Sequence, residues 1–210
     1  MPDPHLKKIP RSELPEDLQP LWDAAMRDRD EATLIEVAGN APEVLDWYYN
    51  SFYARMFHGG RVEIRIKQLA RMKLSTMHGC AFCNRGNSKA ALEDGVSQEQ
   101  LDALFDPDSA LFDDRERAVL RLCEEMTLAN MDGYMDRHLY AALSDHFDDG
   151  EIFELGVCFA VLVGMAKFLF VFDLVSREDN CPISLPAQVS VSVSAEPGIS
   201  VPSWPRRPLS

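Results

Sequence analysis

From Pro42 onward the apolar residues recur at helical spacing, and the start and stop signals divide the run into separate helices. Pro42 suits the first turn of an aromatic helix through Trp47, Tyr48, Tyr49, Phe52, Tyr53 and Phe57, which Gly59-Gly60 ends. Val62, Ile66, Leu69, Ala70 and Met77 mark the next helix, and Gly95 stops one that begins near Cys80. Ser97 with Gln100 forms a capping box for a short helix through Leu101 and Leu104. Asp113 with Glu116 opens a further helix whose stripe is Ala118, Val119, Leu122, Cys123, Met126 and Ala129. Asp148 with Glu151 opens the last one, which runs through Val175. No segment of this body alternates as a strand does, so the predicted fold class is all-α.

Three parts follow from this pattern: a charged N-terminal lead over 1–41, partly helical; a helical domain over 42–175; and a tail over 176–210 crowded with prolines. In the tail Val189, Val191 and Val193 alternate with serines, which predicts an extended or mobile arm because one short strand has no partner. Leu155 to Val175 is strongly apolar, but Lys167 and Asp173 interrupt it. The uninterrupted run is shorter than the roughly 20 residues a bilayer needs. A helix buried on all sides, within or between subunits, is expected instead of a membrane span, with the two charges at a subunit boundary or paired with neighbours.

Composition narrows the function classes. The chain is 46% hydrophobic and 26% charged, which excludes a disordered or fibrous protein. Its 21 bases against 34 acids give a net charge of −13, which disfavours a nucleic-acid partner. Five cysteines are too few for a disulfide scaffold and cannot all pair within the chain. With no apolar stretch near Met1, they predict a reducing, cytoplasmic location.

One motif stands out, His78-Gly79-Cys80-Ala81-Phe82-Cys83. Cysteines at this spacing form a reversible disulfide, supply half a zinc site, or make a purely structural pair. Zinc needs four ligands, and Cys123, Cys158 and Cys181 lack metal spacing, so no metal is expected. Haem attachment needs a histidine where Asn84 stands, and a thioredoxin-like pair would follow a strand. A redox dithiol on a helical scaffold, or a structural pair, remains. The helix leading into the motif carries Arg61, Arg65, Lys67, Arg71 and Lys73 against Glu63 alone, five bases to one acid. Such a patch stabilises a thiolate, helped by a helix N-terminus at Cys80, unless the bases pair with acids between Glu93 and Glu116 or form a solvated face. Cys123 and Cys158 lie on apolar helix faces as core residues, and Cys181 lies in the tail. Trp47, Tyr48, Phe52 and Tyr53 either pack in a core or interface or wall a pocket, with Tyr53 the candidate contact for a substrate.

The run QLARMKLSTMHGCAFCNRGNSKAALEDG from Gln68 to Gly95, with helices on both sides, resembles the carboxymuconolactone decarboxylase and AhpD-like alkylhydroperoxidase superfamily over about Pro42 to Val175. That resemblance implies an AhpD-like helical bundle forming homo-trimers or hexamers. It also implies reduction of hydroperoxides or related small electrophiles by a dithiol that an external thiol reductant recharges, without a bound cofactor. It makes Cys83 the attacking thiol and Cys80 the resolving one. The family's usual glutamate and histidine are replaced by Gln68 and Asn87, amides that hold a substrate oxygen or water but take up no proton near neutral pH. His78 is then the nearest candidate base, unless it merely caps a helix, and Glu93 is a more distant one. Two alternatives use the same scaffold: a non-redox lyase or decarboxylase whose basic helix, Arg71 included, binds a small carboxylate or lactone oriented by Gln68 and Asn87, and a non-catalytic redox-sensing oligomer.

Overall fold

The computed structural model describes residues 2–183, and among these there is no strand. After a 3-10 turn at Arg11–Glu13 the helices are α1 (Gln19–Arg29), α2 (Thr33–Ala38), α3 (Pro42–Asp46), α4 (Ile64–Met77), α5 (Ala81–Glu93), α6 (Gln98–Asp102), α7 (Asp114–Glu125), α8 (Arg137–Ser144) and α9 (Asp149–Val171). All three capping boxes form, at Ser97/Gln100, Asp113/Glu116 and Asp148/Glu151. α8 was not foreseen; its signal is Asp136, whose carboxylate caps Leu139 N–H at 2.8 Å.

The aromatic helix differs from expectation in its winding. Beyond Asp46 the chain opens into a π-helical segment, Trp47–Phe57, with five-residue hydrogen bonding such as His58 N–H to Tyr53 O at 2.8 Å. Residues five apart then share a face: Tyr48 meets Tyr53 edge-on at 5.0 Å between centroids, and Phe52 meets Phe57 at 6.1 Å. The widened turn groups four rings on one side that ordinary winding would spread around the helix.

α4 is the central element and packs against α5, α7 and α9. Its Ile66, Ala70 and Leu74 join Phe57, Val119, Leu122, Leu155 and Phe159 in the main core. Each such large side chain contributes about 1.5–3 kcal/mol on burial. Within the single chain α9 is buried on one side only. Ile152, Leu155, Cys158, Phe159, Leu169 and Phe170 face inward, but Phe153 is 73% exposed and Val171 and Phe172 are exposed too. Lys167 is likewise exposed, and Asp173 accepts the backbone N–H of Asp3 at 2.9 Å.

At its start, over 176–183, the tail straps across the end of α4 and the start of α5. Glu178 N–H donates to Gly79 O at 2.8 Å, Asn180 Nδ2 to Thr76 O at 3.0 Å and Asn84 Nδ2 to Glu178 Oε1 at 2.9 Å. Buried Glu31 holds the strap's first residue, accepting Ser176 N–H at 3.0 Å. The alternating valines at 189–193 lie outside the described residues.

Candidate active site

The cysteine pair sits where one helix stops and another starts. α4 ends at His78, and Gly79 turns the chain with φ +62°. Cys80 is extended and caps α5, its Sγ accepting the Cys83 N–H at 3.2 Å. Cys80 and Cys83 are joined as a disulfide with Cα atoms 5.2 Å apart. Cys80 is fully buried, whereas Cys83 is half-buried. The two sulfurs are therefore not equivalent. The less buried Cys83 is the one an incoming molecule reaches. Cys80 sits at a helix N-terminus with a backbone donor already in place, the setting that stabilises a departing thiolate.

Both cysteines line a cavity of about 510 Å³, a volume in the range of small-molecule sites. Tyr48, Tyr49 and Tyr53 of the π-helical segment form one wall, α4 supplies Arg71 and Leu74, and Leu162, Met165 and Leu169 of α9 close the apolar side. Burial raises the Tyr48 hydroxyl well above its ordinary value, and Tyr49 also rises, so both stay neutral. The lead contributes as well, through Arg29 of α1 and Leu34 of α2. Arg29 packs over the Phe82 ring, 4.9 Å from its centroid, and crosses α5 at Gly86, where any Cβ would meet the guanidinium.

The sequence-predicted residues divide between the cavity and the framework. Cys80, Cys83, His78, Asn87, Arg71 and Tyr53 all line the cavity, and the Asn87 side chain makes no hydrogen bond to another described residue. Gln68 does not line it. It is fully buried behind Arg71, accepting that guanidinium's Nη2 on Oε1 and donating through Nε2 to Asp94 at 2.6 Å. Glu93 is exposed near the end of α5 and lies apart from the cavity.

On the basic helix the pairing alternative holds for three of the bases, with Glu116 inside the expected range of acids and Glu154 and Glu124 outside it. Arg65 pairs with Glu116, Lys67 with Glu154 at 3.0 Å and Lys73 with Glu124 at 2.8 Å. These three charges are paired across the packing of α4 against α7 and α9. Arg71 alone of the cations on α4 reaches the cavity.

His78 is buried, and its Nε2 accepts the Leu128 N–H at 3.3 Å. That bond occupies the lone pair and leaves Nδ1–H as a donor, so the ring is poorly set to take a proton. Burial lowers its pKa from 6.5 to about 4. The unfolded chain takes up this proton below 6.5 and the folded one only near 4. The associated stability is therefore complete above pH 6.5 and is lost as pH falls to about 4, amounting to about 3 kcal/mol. His78→Gln keeps an acceptor for Leu128 but cannot titrate. Its urea-unfolding free energy is expected to fall less steeply over that pH interval than wild type's, and identical slopes would contradict this assignment.

His58, at the end of the π-helical segment, is the imidazole that sequence reasoning missed. It lines the cavity, and its side chain makes no hydrogen bond among the described residues. Partial burial, with the nearby Arg71 charge, lowers its pKa, so it is unprotonated at neutral pH. The one sequence signal was a histidine closing an aromatic run. Among the described residues no three His, Cys, Asp or Glu side chains are grouped to hold a metal ion.

Residues 42–125 match the model of the carboxymuconolactone decarboxylase family. Among solved structures, the debrominase Bmp8 shares the fold, both apo and as a cysteine-to-alanine variant in complex with 2,3,4-tribromopyrrole. Each is 16% identical, with a TM-score of 0.66 over 85% of this chain and 94% of that one. Comparison with curated proteins gives no match.

Proposed function

We propose that the protein is a thiol-dependent oxidoreductase that reduces a small electrophile, a hydroperoxide or a related compound with a weak bond to a good leaving group, at the Cys80–Cys83 pair. The observation that carries this reading is the asymmetry of the pair in the cavity wall: Cys83 is half-buried, while Cys80 is fully buried at the start of α5. With a hydroperoxide, the Cys83 thiolate attacks the distal oxygen. The O–O bond breaks, the alkoxide leaves and takes a proton, and Cys83 becomes a sulfenic acid. The Cys80 thiolate then attacks the Cys83 sulfur, the S–O bond breaks, the departing hydroxide takes a proton from solvent to leave as water, and the disulfide forms. An external dithiol supplies the two electrons that restore the pair. Its first thiolate attacks the accessible Cys83 sulfur, Cys80 leaves as the thiolate its helix N-terminus favours, and the reductant's second thiolate then attacks the mixed disulfide to release Cys83 and leave the reductant as its own disulfide.

His58 takes the role that the family's histidine would fill, accepting the thiol proton, and His78 and Asn87 donate hydrogen bonds to the substrate. The debrominase with this fold widens the candidate electrophiles to carbon–halogen bonds. There the same two thiols supply two electrons, and hydrogen replaces a halogen that leaves as halide. A non-redox lyase would leave the placing of both sulfurs without purpose. Self-association belongs to the proposal as well, supported by the exposed apolar face of α9 at Phe153, Val171 and Phe172.

Consumption of cumene hydroperoxide and of a bromoaromatic, each with dithiothreitol as reductant, tests the reading. Turnover of either that stops on alkylation of the two cysteines supports it. No consumption of either at pH values spanning the neutral range overturns it.

A further inference from the structure

We infer that the cavity above Cys80 and Cys83 is built for a small aromatic anion, whose acidic group is held by Arg71 with Arg29 as a second positive pole. The inference deepens the proposed function and rests on it for where the reactive part of the ligand lies. Three observations carry it.

Arg71 is 7% exposed, yet no carboxylate pairs with its guanidinium among the described residues. Its single hydrogen bond is to the neutral Gln68 Oε1, and its Nε is buried with no acceptor at all. A buried cation is costly to hold out of water, and proteins ordinarily pair it. The neighbouring buried bases obey that rule, Lys67 with Glu154 and Lys73 with Glu124. Arg71 departs from it at the one α4 cation that faces the cavity.

Arg29 repeats the pattern from the end of α1. It lines the same cavity, enters no ion pair among the described residues, and its Nε is likewise buried without a partner. The lining holds these two arginines and not one aspartate or glutamate, in a protein with 34 of them. Acids lie just behind the wall instead, with Asp94 reaching Arg71 only through Gln68. Gln68 in place of a carboxylate thus leaves the guanidinium charge uncancelled and its remaining N–H groups free to bind a ligand's oxygens in pairs.

The rest of the wall selects the ligand's body. Tyr53 and Phe57 lie against the Arg71 guanidinium, 5.8 and 4.9 Å from ring centroid to Cζ, and fix its plane. Tyr48, Tyr49 and Phe82 with the α9 side chains give an apolar slot that fits a flat ring of one or two cycles.

Benzoate and its neutral isostere benzamide are the probes, titrated calorimetrically into the full-length oxidised protein. In that form the disulfide is inert to both, so binding is read independently of whether the dithiol turns over. The wild-type protein is expected to bind benzoate at least about tenfold more tightly than benzamide, the loss expected for a charge-assisted contact replaced by a neutral one. Arg71→Gln is expected to lose that preference while retaining the benzamide affinity, and Arg29→Gln to reduce it. Equal binding of the two probes by wild type, absence of binding by either, or a preference that survives in Arg71→Gln would overturn the inference. If Arg71→Gln does not fold, the wild-type comparison and Arg29→Gln decide. A protein that prefers benzoate but consumes no electrophile would retain this site and lose the proposed reaction, whereas active turnover without a benzoate preference would do the reverse.

Discussion

Cys83→Ser is expected to lower turnover by about 10³-fold or more, because a serine hydroxyl holds its proton at neutral pH and cannot pass through a sulfenic acid. The fold is expected to survive, since Cys83 is half-buried and closes a disulfide loop of only a few residues. Cys80→Ser separates the two sulfurs. It retains the attacking thiol, so without added thiol it consumes one equivalent of hydroperoxide and then stops, with Cys83 held as a sulfenic acid that dimedone labels. Full activity in Cys83→Ser, measured by consumption of cumene hydroperoxide with dithiothreitol, would remove the proposed nucleophile. Cys123 and Cys158 offer no substitute, because burial raises both thiols, Cys158 to about 11.

The second large effect concerns stability. Gly79→Ala is expected to destabilise the fold by about 3 kcal/mol or more, through two costs at one position. At φ +62° a side chain is strained, and a Cβ built there lies 2.5 Å from Cys181 N and 2.7 Å from Cys181 Cα. Backbone must move to relieve that contact, and the bonds from Glu178 to Gly79 and from Asn180 to Thr76 go with it. Gly95→Ala is the control. Its φ is +89°, but the nearest atom to a Cβ is Arg65 Cδ at 3.7 Å, so only the conformational cost of about 1–2 kcal/mol applies. Urea unfolding compares the two variants, and faster tryptic cleavage after Arg177 in Gly79→Ala reports a loosened strap. Equal destabilisation by both substitutions would show that the strap does not press on Gly79.

What was legible in the sequence were the features whose causes are local. A capping box is closed by residues three apart, and a helical stripe repeats within one turn, so the starts of α5, α6, α7 and α9 could be read directly, whereas α6, α7 and α9 end two to four residues before the last apolar position of their stripes. The cysteine pair is equally local, and its position at a helix start follows from Gly79. The features missed depend on partners far along the chain. Lys67 and Lys73 look like a field around the sulfurs until Glu154 and Glu124, 87 and 51 residues away, are seen to take them. Arg29 and Leu34 reach the cavity only because the lead folds back onto α5, a placement with no sequence spacing to announce it. His58 enters the wall because the aromatic helix winds with five-residue hydrogen bonds, and the same aromatic pattern fits ordinary helical winding nearly as well.

These findings converge on one claim, that Cys80 and Cys83 exchange two electrons with a molecule held in the cavity. Counting thiols before and after a single turnover tests it most directly. The fully reduced protein carries five thiols, and one equivalent of cumene hydroperoxide is added before alkylation in denaturant, with mass spectrometry locating any disulfide. The structure predicts a fall from five to three, a loss confined to Cys80 and Cys83 and reversed by dithiothreitol. Consumption of the hydroperoxide with all five thiols still free, or a disulfide formed elsewhere, would contradict it.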